Sequence, residues 1–326
     1  MIKAKYYLLP AIVCFIAIIA IGYYSLFTPF SNEDKPFNMY IDRDDTVDSI
    51  TLRLSPVTSH LSSLTILMRH FSYEPNKHTG YYVIEPGQTT LDVMRMLKSG
   101  NQTPVMLTIP EVRTMDQLAA RLSAKLMIDS AEIAPLLVGD SIPCLFIPDT
   151  YEVYWNISAK GFMDRMKREH DKFWNAERRR QAEAKGLTPD EVCTLASIID
   201  EETANNAEKP NIAGMYLNRL RKGMLLQADP TVKFALKDFT LKRIYNSHLE
   251  VDSPYNTYKN TGLPPGPIKI ASQQGIEAVL HAADHDYLYM CAKADFSGTH
   301  DFARTYKEHL NNAARYAAAL NARGIK

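Results

Sequence analysis

Cysteine is scarce in this chain of 326 residues, and a charge excess of either sign is absent. The four cysteines form no CxxC pair, so the common zinc-ribbon and redox motifs are excluded. Because 37 Lys and Arg balance 37 Asp and Glu, net charge gives no reason to expect a nucleic-acid partner. Nucleophile-elbow, phosphate-loop and dinucleotide motifs are also missing. With 46% hydrophobic and 23% charged residues, the rest has the composition of a folded globular protein.

A long apolar segment lies at the amino end. Residues 6–30 carry no charged side chain, and as a helix they would rise roughly 37 Å, which exceeds the ~30 Å hydrocarbon core of a bilayer. Lys3 and Lys5 precede the segment, whereas Glu33 and Asp34 follow it. This asymmetry predicts a single-pass anchor in the cytoplasmic membrane, with the amino end inside and the remaining chain outside. The alternative is a cleaved signal peptide, whose apolar region usually spans only about 7–15 residues.

A strand–turn–helix pattern then occurs three times. In each copy, an aliphatic strand end is followed by threonine five residues later and by apolar residues at nine and thirteen. Each threonine is suited to cap a helix whose apolar positions share one face. We expect strands over residues 37–41, 81–84 and 105–109, with a further helix over 60–71. The copies are Ile41, Thr46, Ile50, Leu54; Ile84, Thr89, Val93, Leu97; and Ile109, Thr114, Leu118, Leu122.

Several helix ends are also readable from the sequence. Thr114 with Gln117 is predicted to form the best capping box of the repeats, and Gly100 is predicted to end the second repeat's helix. A charged helix is expected over residues 161–185, where the arginine run at 178–180 would form a solvated face. Thr188 should cap the next helix, which is followed by another over residues 210–222.

Three consecutive acids, Asp200, Glu201 and Glu202, end the helix that Thr188 begins. Negative charge at a helix C-terminus opposes the macrodipole, and such breaks of a local rule concentrate at functional sites. Helical geometry predicts a solvated Glu201 and places Glu202 beside the apolar stripe. A carboxyl group against aliphatic neighbours resists ionisation, which suits a general acid near neutral pH. A frayed, exposed acidic end is the alternative interpretation.

Downstream, amides, hydroxyls and aromatic rings cluster on turn-rich backbone, a mixture suited to holding sugars. The glycine- and proline-rich run at 262–268 predicts a stiff loop, which would serve as a mount for a site or simply as a connector. His281 and His285 are separated like a helical metal pair but lack the accompanying glutamate, so solvent-facing histidines are expected there.

The motifs, in order, resemble those of the endolytic murein transglycosylase family (MltG, YceG-like). They comprise LASIIDEET at 195–203, IAGMYLNRL at 212–220, LQADPTV at 226–232, PYNTY at 254–258, GLPPGPI at 262–268 and DYLY at 286–289. FIPDTY at 146–151 resembles the family's entry to the catalytic region, and His300, Phe302 and His309 match its carboxyl-terminal pattern.

The resemblance implies an α+β protein with an anchor and cytoplasmic stub at 1–30, a lysin-motif-like region at 31–144 and a catalytic domain at 145–326. It implies a lyase that cuts the bond between N-acetylmuramic acid and N-acetylglucosamine within nascent peptidoglycan and leaves 1,6-anhydro ends. Glu202 matches the family's catalytic glutamate. No metal or cofactor is expected, and cell-wall synthases are suggested as partners. Candidate substrate-binding residues are Asn218, Gln227, Ser253, Tyr255, Asn256 and Tyr258.

The chain departs from the family pattern in two places. Asp200 and Glu201 replace the more usual glutamate and lysine, so Glu201 is expected to raise the pKa of Glu202 further. Glu111 followed by Val112 replaces a common Glu-Gly at the third repeat. The alternative function is a membrane-tethered scaffold that binds peptidoglycan without cleaving it.

Overall fold

The computed structural model describes residues 2–241 and 243–324, with side chains from Leu9 onward. Its first helix, α1 (Ile2–Phe27), contains Pro10 and covers the predicted apolar segment as far as residue 27, whereas Phe30, the last residue of that segment, is buried among core residues that lie between positions 39 and 97. The stretch Leu9–Phe27 is long and apolar enough to cross a membrane, and it lies outside the folded core. The side chains of Lys3 and Lys5, on which the predicted orientation depends, lie outside the described part.

Beyond α1, twelve α-helices, four 3₁₀ helices of three or four residues, and six short strands occur in the described residues. The helices are α2 (Val47–Leu54), α3 (Leu61–His70), α4 (Thr90–Ser99), α5 (Met115–Ser123), α6 (Ser130–Ile133), α7 (Ala159–Phe173), α8 (Ala176–Ala184), α9 (Pro189–Glu202), α10 (Lys209–Arg221), α11 (Asp229–Leu236), α12 (Gln273–Leu280) and α13 (Tyr306–Ala322). The strands are β1 (Phe37–Ile41), β2 (Gly80–Ile84), β3 (Val105–Thr108), β4 (Thr150–Val153), β5 (Tyr289–Ala292) and β6 (His300–Ala303). They pair as β1–β2, β3–β4 and β5–β6, so the predicted α+β class is confirmed.

The chain divides into two compact units. The first contains residues 1–107, 125–128 and 152–158, and the second contains 108–124, 129–151 and 159–326. In the first unit, β1 and β2 form an antiparallel pair. Helices α2 and α3 lie between them in the sequence, which gives the expected strand–helix–helix–strand order. The lysin-motif-like assignment and the predicted domain limits at 30 and 144 remain predictions.

The three threonine caps are confirmed. Thr46, Thr89 and Thr114 each accept a hydrogen bond from the amide three residues later. All the apolar positions of the repeats are buried, as the spacing predicted. The prediction about Thr114 was only half right, because the side chain of Gln117 accepts from Arg113 N instead of closing a box. Gly100 does end α4, in the left-handed conformation with φ +65°.

The charged helix expected over 161–185 is interrupted. It consists of α7 and α8, since the Asn175 side chain accepts from Arg178 N and begins a new helix. The solvated arginine face was also wrong in part. Arg178 binds Glu277 and Phe173 O, and Arg179 binds Trp174 O, so both guanidinium groups fasten this helix junction.

Helix α9 lies at the centre of the second unit. Its buried face, which includes Val192, Leu195, Ala196 and Ile199, packs against α10, α11 and α12. The capping box between Thr188 and Glu191 is present as predicted. The 262–268 loop is not helical, and Ile268 N donates to Ser197 Oγ on α9 at 3.0 Å. The unit's core therefore holds α9 firmly on several sides, which positions its C-terminal acids.

Candidate active site

The three acids at the end of α9 have three different environments. Asp200 is almost fully buried and pairs with Lys209 Nζ at 2.7 Å, while its carboxylate accepts from Ser272 N and Oγ at 2.7 and 2.8 Å. Gly275 allows this approach, because a Cβ there would lie 2.6 Å from Asp200 Oδ1. Asp200 therefore ties α9 to α10 and α12, a structural role that the sequence did not reveal.

The prediction of a solvated Glu201 was wrong. Its carboxylate accepts from Arg113 at 2.8 Å and lies 3.6 Å from Lys269 Nζ, and its side chain is 18% exposed. Lys269 in turn pairs with Glu111, the residue that departs from the family pattern. Glu201 is therefore neutralised by cations, and it is not among the groups that raise the pKa of Glu202.

Glu202 has no such cation at bonding distance among the described residues. Its Oε1 accepts a 2.7 Å hydrogen bond from the phenol of Tyr216 on α10. Burial disfavours the ionised carboxylate and raises the pKa of Glu202 from 4.5 to about 7, against the lowering effect of the Tyr216 bond. Asp229, rather than Glu201, is the anion that raises this pKa further. The predicted general acid is thus half protonated near neutrality.

Glu202 lines a cavity of about 220 Å³. Its walls come from helices α9, α10 and α11, the loop before α11, the loop that contains Tyr258, and strands β5 and β6. The lining residues are Glu202, Met215, Tyr216, Arg219, Leu226, Gln227, Asp229, Tyr258, Met290, Cys291, Ala292 and His300. The site therefore combines the carboxyl groups of Glu202 and Asp229 with hydroxyl, amide, imidazole and guanidinium groups on partly apolar walls.

Two predicted substrate-binding residues, Gln227 and Tyr258, line this cavity with Glu202. The Tyr258 phenol donates to Asp229 Oδ1 at 2.6 Å, and both burial and this bond raise the pKa of Tyr258. Gln227 is exposed and has a left-handed backbone with φ +53°. Because non-glycine residues rarely adopt this conformation, its amide is held at the cavity wall at a cost in backbone strain.

The other four predicted substrate-binding residues do not line the cavity. Asn218 donates to the carbonyls of His285 and Tyr287, and buried Asn256 donates to those of Leu249 and Val251. Ser253 accepts from Tyr255 N within a turn, and the Tyr255 phenol donates to Asp140. Their amides and hydroxyls bond the protein itself, so they shape the loops around the site.

Sequence reasoning passed over Tyr216, Arg219 and Asp229, although all three lie in the quoted motifs. Arg219 is buried and donates to the carbonyls of Leu288, Leu225 and Leu226. The available signal was a polar side chain next to buried apolar ones, since Tyr216 lies between Met215 and Leu217, both buried. Their convergence on Glu202 depends on how α10 and α11 pack, which residue spacing alone does not specify.

The histidines after α12 also differ from the prediction. Helix α12 ends at Leu280, so His281 and His285 are not on one helix face. His281 is exposed as expected, but His285 is partly buried, contacts Asn211 O at 2.9 Å and accepts from Tyr287 N. Gly214 on α10 leaves room for this loop, since a Cβ there would lie 2.3 Å from Ala283 O.

Comparison with known proteins agrees with the motif order. A family model described as the YceG-like family matches residues 39–315, which include every residue that lines the cavity. The chain belongs to the YceG-like family. This confirms the resemblance drawn from the motifs.

Two relatives of known name match different lengths of the chain. It is 46% identical over 128 residues to an endolytic murein transglycosylase of Bacillus subtilis, covering 39% of this chain and 35% of the relative. It is 26% identical to an endolytic murein transglycosylase of Streptococcus pneumoniae, covering 93% of this chain and 64% of the relative. The match therefore spans about a third of the length of the Bacillus subtilis relative and just under two thirds of the length of the Streptococcus pneumoniae relative.

A crystal structure of a yceG-like protein from Listeria monocytogenes has a similar fold. The TM-score is 0.55 at 28% sequence identity, and the match covers 86% of this chain and 99% of that one. The YceG-like assignment thus holds for sequence and for fold.

Proposed function

We propose that this protein is a membrane-anchored endolytic lytic transglycosylase, a lyase that cleaves the bond between N-acetylmuramic acid and N-acetylglucosamine within peptidoglycan strands. The observation that carries the proposal is the carboxyl of Glu202, partly buried at the wall of the cavity, with its pKa raised to about 7. The names of the two relatives, both endolytic murein transglycosylases, supply the substrate class.

In the first step, protonated Glu202 donates its proton to the glycosidic oxygen as the bond from this oxygen to C1 of the muramic acid breaks. A pKa near 7 keeps a large share of the carboxyl protonated at neutral pH, which a general acid needs. The Tyr216 phenol, whose own pKa is raised well above 10 by burial, remains a neutral donor and orients the carboxyl group.

In the second step, the 6-hydroxyl of the same muramic acid attacks C1 and passes its proton to the Glu202 carboxylate. This forms the 1,6-anhydro ring and restores the protonated acid. Because the nucleophile belongs to the substrate, one carboxyl performs both transfers, whereas glycoside hydrolases commonly use two. The Tyr258 hydroxyl donates to Asp229, and Gln227 Oε1 accepts from Arg219 at 3.4 Å, so the phenol oxygen as an acceptor and the Gln227 amide nitrogen as a donor would contact the sugars.

The anchor is the other part of the proposal. Helix α1 would cross the cytoplasmic membrane once, with the folded units outside, where nascent peptidoglycan strands are accessible. The end of this helix is fastened to the first unit, because Thr90 Oγ1 donates to Ser25 O at 2.7 Å and Pro29 pairs with Thr89. Cell-wall synthases at the same membrane are the partners we would test for.

The deciding experiment incubates full-length protein in detergent with purified glycan strands and analyses the products by mass spectrometry. We expect internal cleavage and 1,6-anhydro ends from the unmodified protein, and a loss of roughly 10²-fold or more in Glu202→Gln, which cannot donate the proton. The neighbouring Glu201→Gln is the matched control and should retain most activity, because Glu201 faces Arg113 and Lys269.

Each other result would contradict the proposal. Reducing ends without anhydro sugar would indicate a hydrolase. Strand binding without any product would support the alternative of a non-catalytic scaffold. Undiminished product from Glu202→Gln would reject the assigned acid.

A further inference from the structure

A second carboxylate, Glu208, lies beside the cavity and holds one of its lining residues. Glu208 is 7% exposed and precedes α10. One of its oxygens accepts from the backbone amide of His300 at 2.6 Å, and the other contacts His300 Nδ1 at 3.0 Å. The Thr203 hydroxyl donates to the same carboxylate at 3.3 Å. Glu208 therefore connects β6 to the residue that directly follows Glu202.

The partner at Nδ1 determines what the other ring nitrogen does. A carboxylate only accepts hydrogen bonds, so Nδ1 of His300 carries the proton in this pair. In the neutral ring, Nε2 is then an acceptor with a fixed direction, the arrangement by which carboxylates orient functional histidines elsewhere. No residue within the described ranges 2–241 and 243–324 bonds Nε2.

The ring also has a clear position relative to the acid. His300 lines the same cavity as Glu202 and Tyr216. A histidine needed only to fasten β6 would duplicate what its backbone amide already does with Glu208. The side chain is instead held at the cavity wall with one nitrogen unused.

We propose that His300 is a substrate-binding residue whose Nε2 accepts a hydrogen bond from a sugar hydroxyl, and that Glu208 is the positioning residue that holds the ring. This inference rests on the proposed function, which supplies glycan as the ligand. It assigns a role to the carboxyl-terminal histidine motif, which the two proton transfers at Glu202 do not use.

Two amide substitutions separate ligand binding from structural support. His300→Asn keeps a donor near the position of Nδ1, within reach of Glu208, but has nothing at the position of Nε2. His300→Gln places an amide oxygen near the position of Nε2 but loses the bond to Glu208. A binding role therefore favours Gln over Asn, whereas a purely structural role favours Asn over Gln.

The experiment measures binding of peptide-free murein glycan strands by calorimetry, using full-length protein in detergent. All variants carry Glu202→Gln, so the strands are not consumed. We expect Asn at position 300 to weaken binding about three- to tenfold, the loss of one hydrogen bond, and Gln to stay within about twofold of the parent. Thermal unfolding measured alongside should show Asn to be at least as stable as Gln.

Three results would overturn the inference: parent-like binding by the Asn variant, weaker binding by Gln than by Asn, or no strand binding by the parent. Turnover by the protein with an intact Glu202 distinguishes this failure from failure of the proposed function. Anhydro product together with indifference to position 300 rejects only the role of His300. Binding that depends on position 300 without any anhydro product rejects only the transglycosylase reaction.

Discussion

Two acidic residues on the last turn of α9, Asp200 and Glu202, have bonding partners of opposite character. On one side, Asp200 is buried against Lys209 and receives two hydrogen bonds from Ser272. On the other side, Glu202 is held by a neutral phenol, and Asp229 adds an unfavourable negative charge. The Asp200 side chain is buried and Glu202 is partly buried, and it is the bonding partner that distinguishes their roles. The carboxylate that is paired with a cation stabilises the fold. The carboxyl group that lacks a paired cation keeps its proton to a higher pH and can donate it.

The largest effect should come from breaking the compensated side. Asp200→Asn leaves the Lys209 ammonium buried without an anion, and we expect a loss of about 3–5 kcal/mol in the free energy of unfolding. Urea denaturation followed by tryptophan fluorescence measures it, because Trp174 is buried in the core of the same unit. A loss below about 1 kcal/mol would show that this pair does not hold α9 to α10.

In the same denaturation experiment, Glu202→Gln should increase the free energy of unfolding at high pH, whereas Asp200→Asn should decrease it. The folded-state pKa of about 7 exceeds the ordinary 4.5, so ionising Glu202 costs stability as the pH rises between these values. Above about pH 7 the glutamine variant should be more stable than the unmodified protein, by up to about 3 kcal/mol, and this advantage should vanish below about pH 4.5. A glutamine variant that is less stable at about pH 8 would contradict the raised pKa.

A smaller effect is expected from Tyr216→Phe. The phenol stabilises the ionised form of Glu202, so removing its hydroxyl should raise the pKa of Glu202 further. The alkaline limb of kcat/KM, where the general acid loses its proton, should move to higher pH by about one unit. The maximal rate should also fall about tenfold, because the carboxyl group loses its orienting partner. A limb that moves to lower pH would refute the assigned bond.

The smallest effect is expected from Asp229→Asn, which removes an anion that raises the pKa of Glu202. The alkaline limb should therefore move to lower pH, by less than about one unit, opposite to Tyr216→Phe. Both variants are read from pH profiles of anhydro-product formation on the same glycan strands. Shifts in the same direction would show that these two neighbours do not act on the carboxyl group as described.

Local features of the fold were readable from the sequence because they depend on near neighbours. Threonine caps, the left-handed Gly100 and the helix that ends at Glu202 follow from spacing within a few residues. The break at Asn175 was missed because a continuous charged pattern hid a capping side chain. The apolar flank of Glu202 was also local, since it follows from one helix's periodicity.

The other features of the candidate site depend on contacts between residues that are far apart in the sequence. Asn218 and Asn256 were plausible sugar ligands by residue type, yet their amides are used on backbone carbonyls of other segments. Conversely, Glu208 and His300 are separated by 92 residues and meet only because β6 packs beside the start of α10. Residue chemistry indicates what a side chain can bond, but the three-dimensional arrangement decides whether that capacity is already used.

The left-handed backbone of Gln227 has an evolutionary consequence. Glycine at this position would relieve a cost of about 1 kcal/mol or more, so selection for thermostability alone would favour it. Such a replacement would also remove an amide from the wall of the cavity beside Glu202. On the proposed role of Gln227 as a substrate-binding residue, directed evolution for heat resistance would enrich a substitution that weakens substrate binding, and a screen that scores only survival on heating would select against activity.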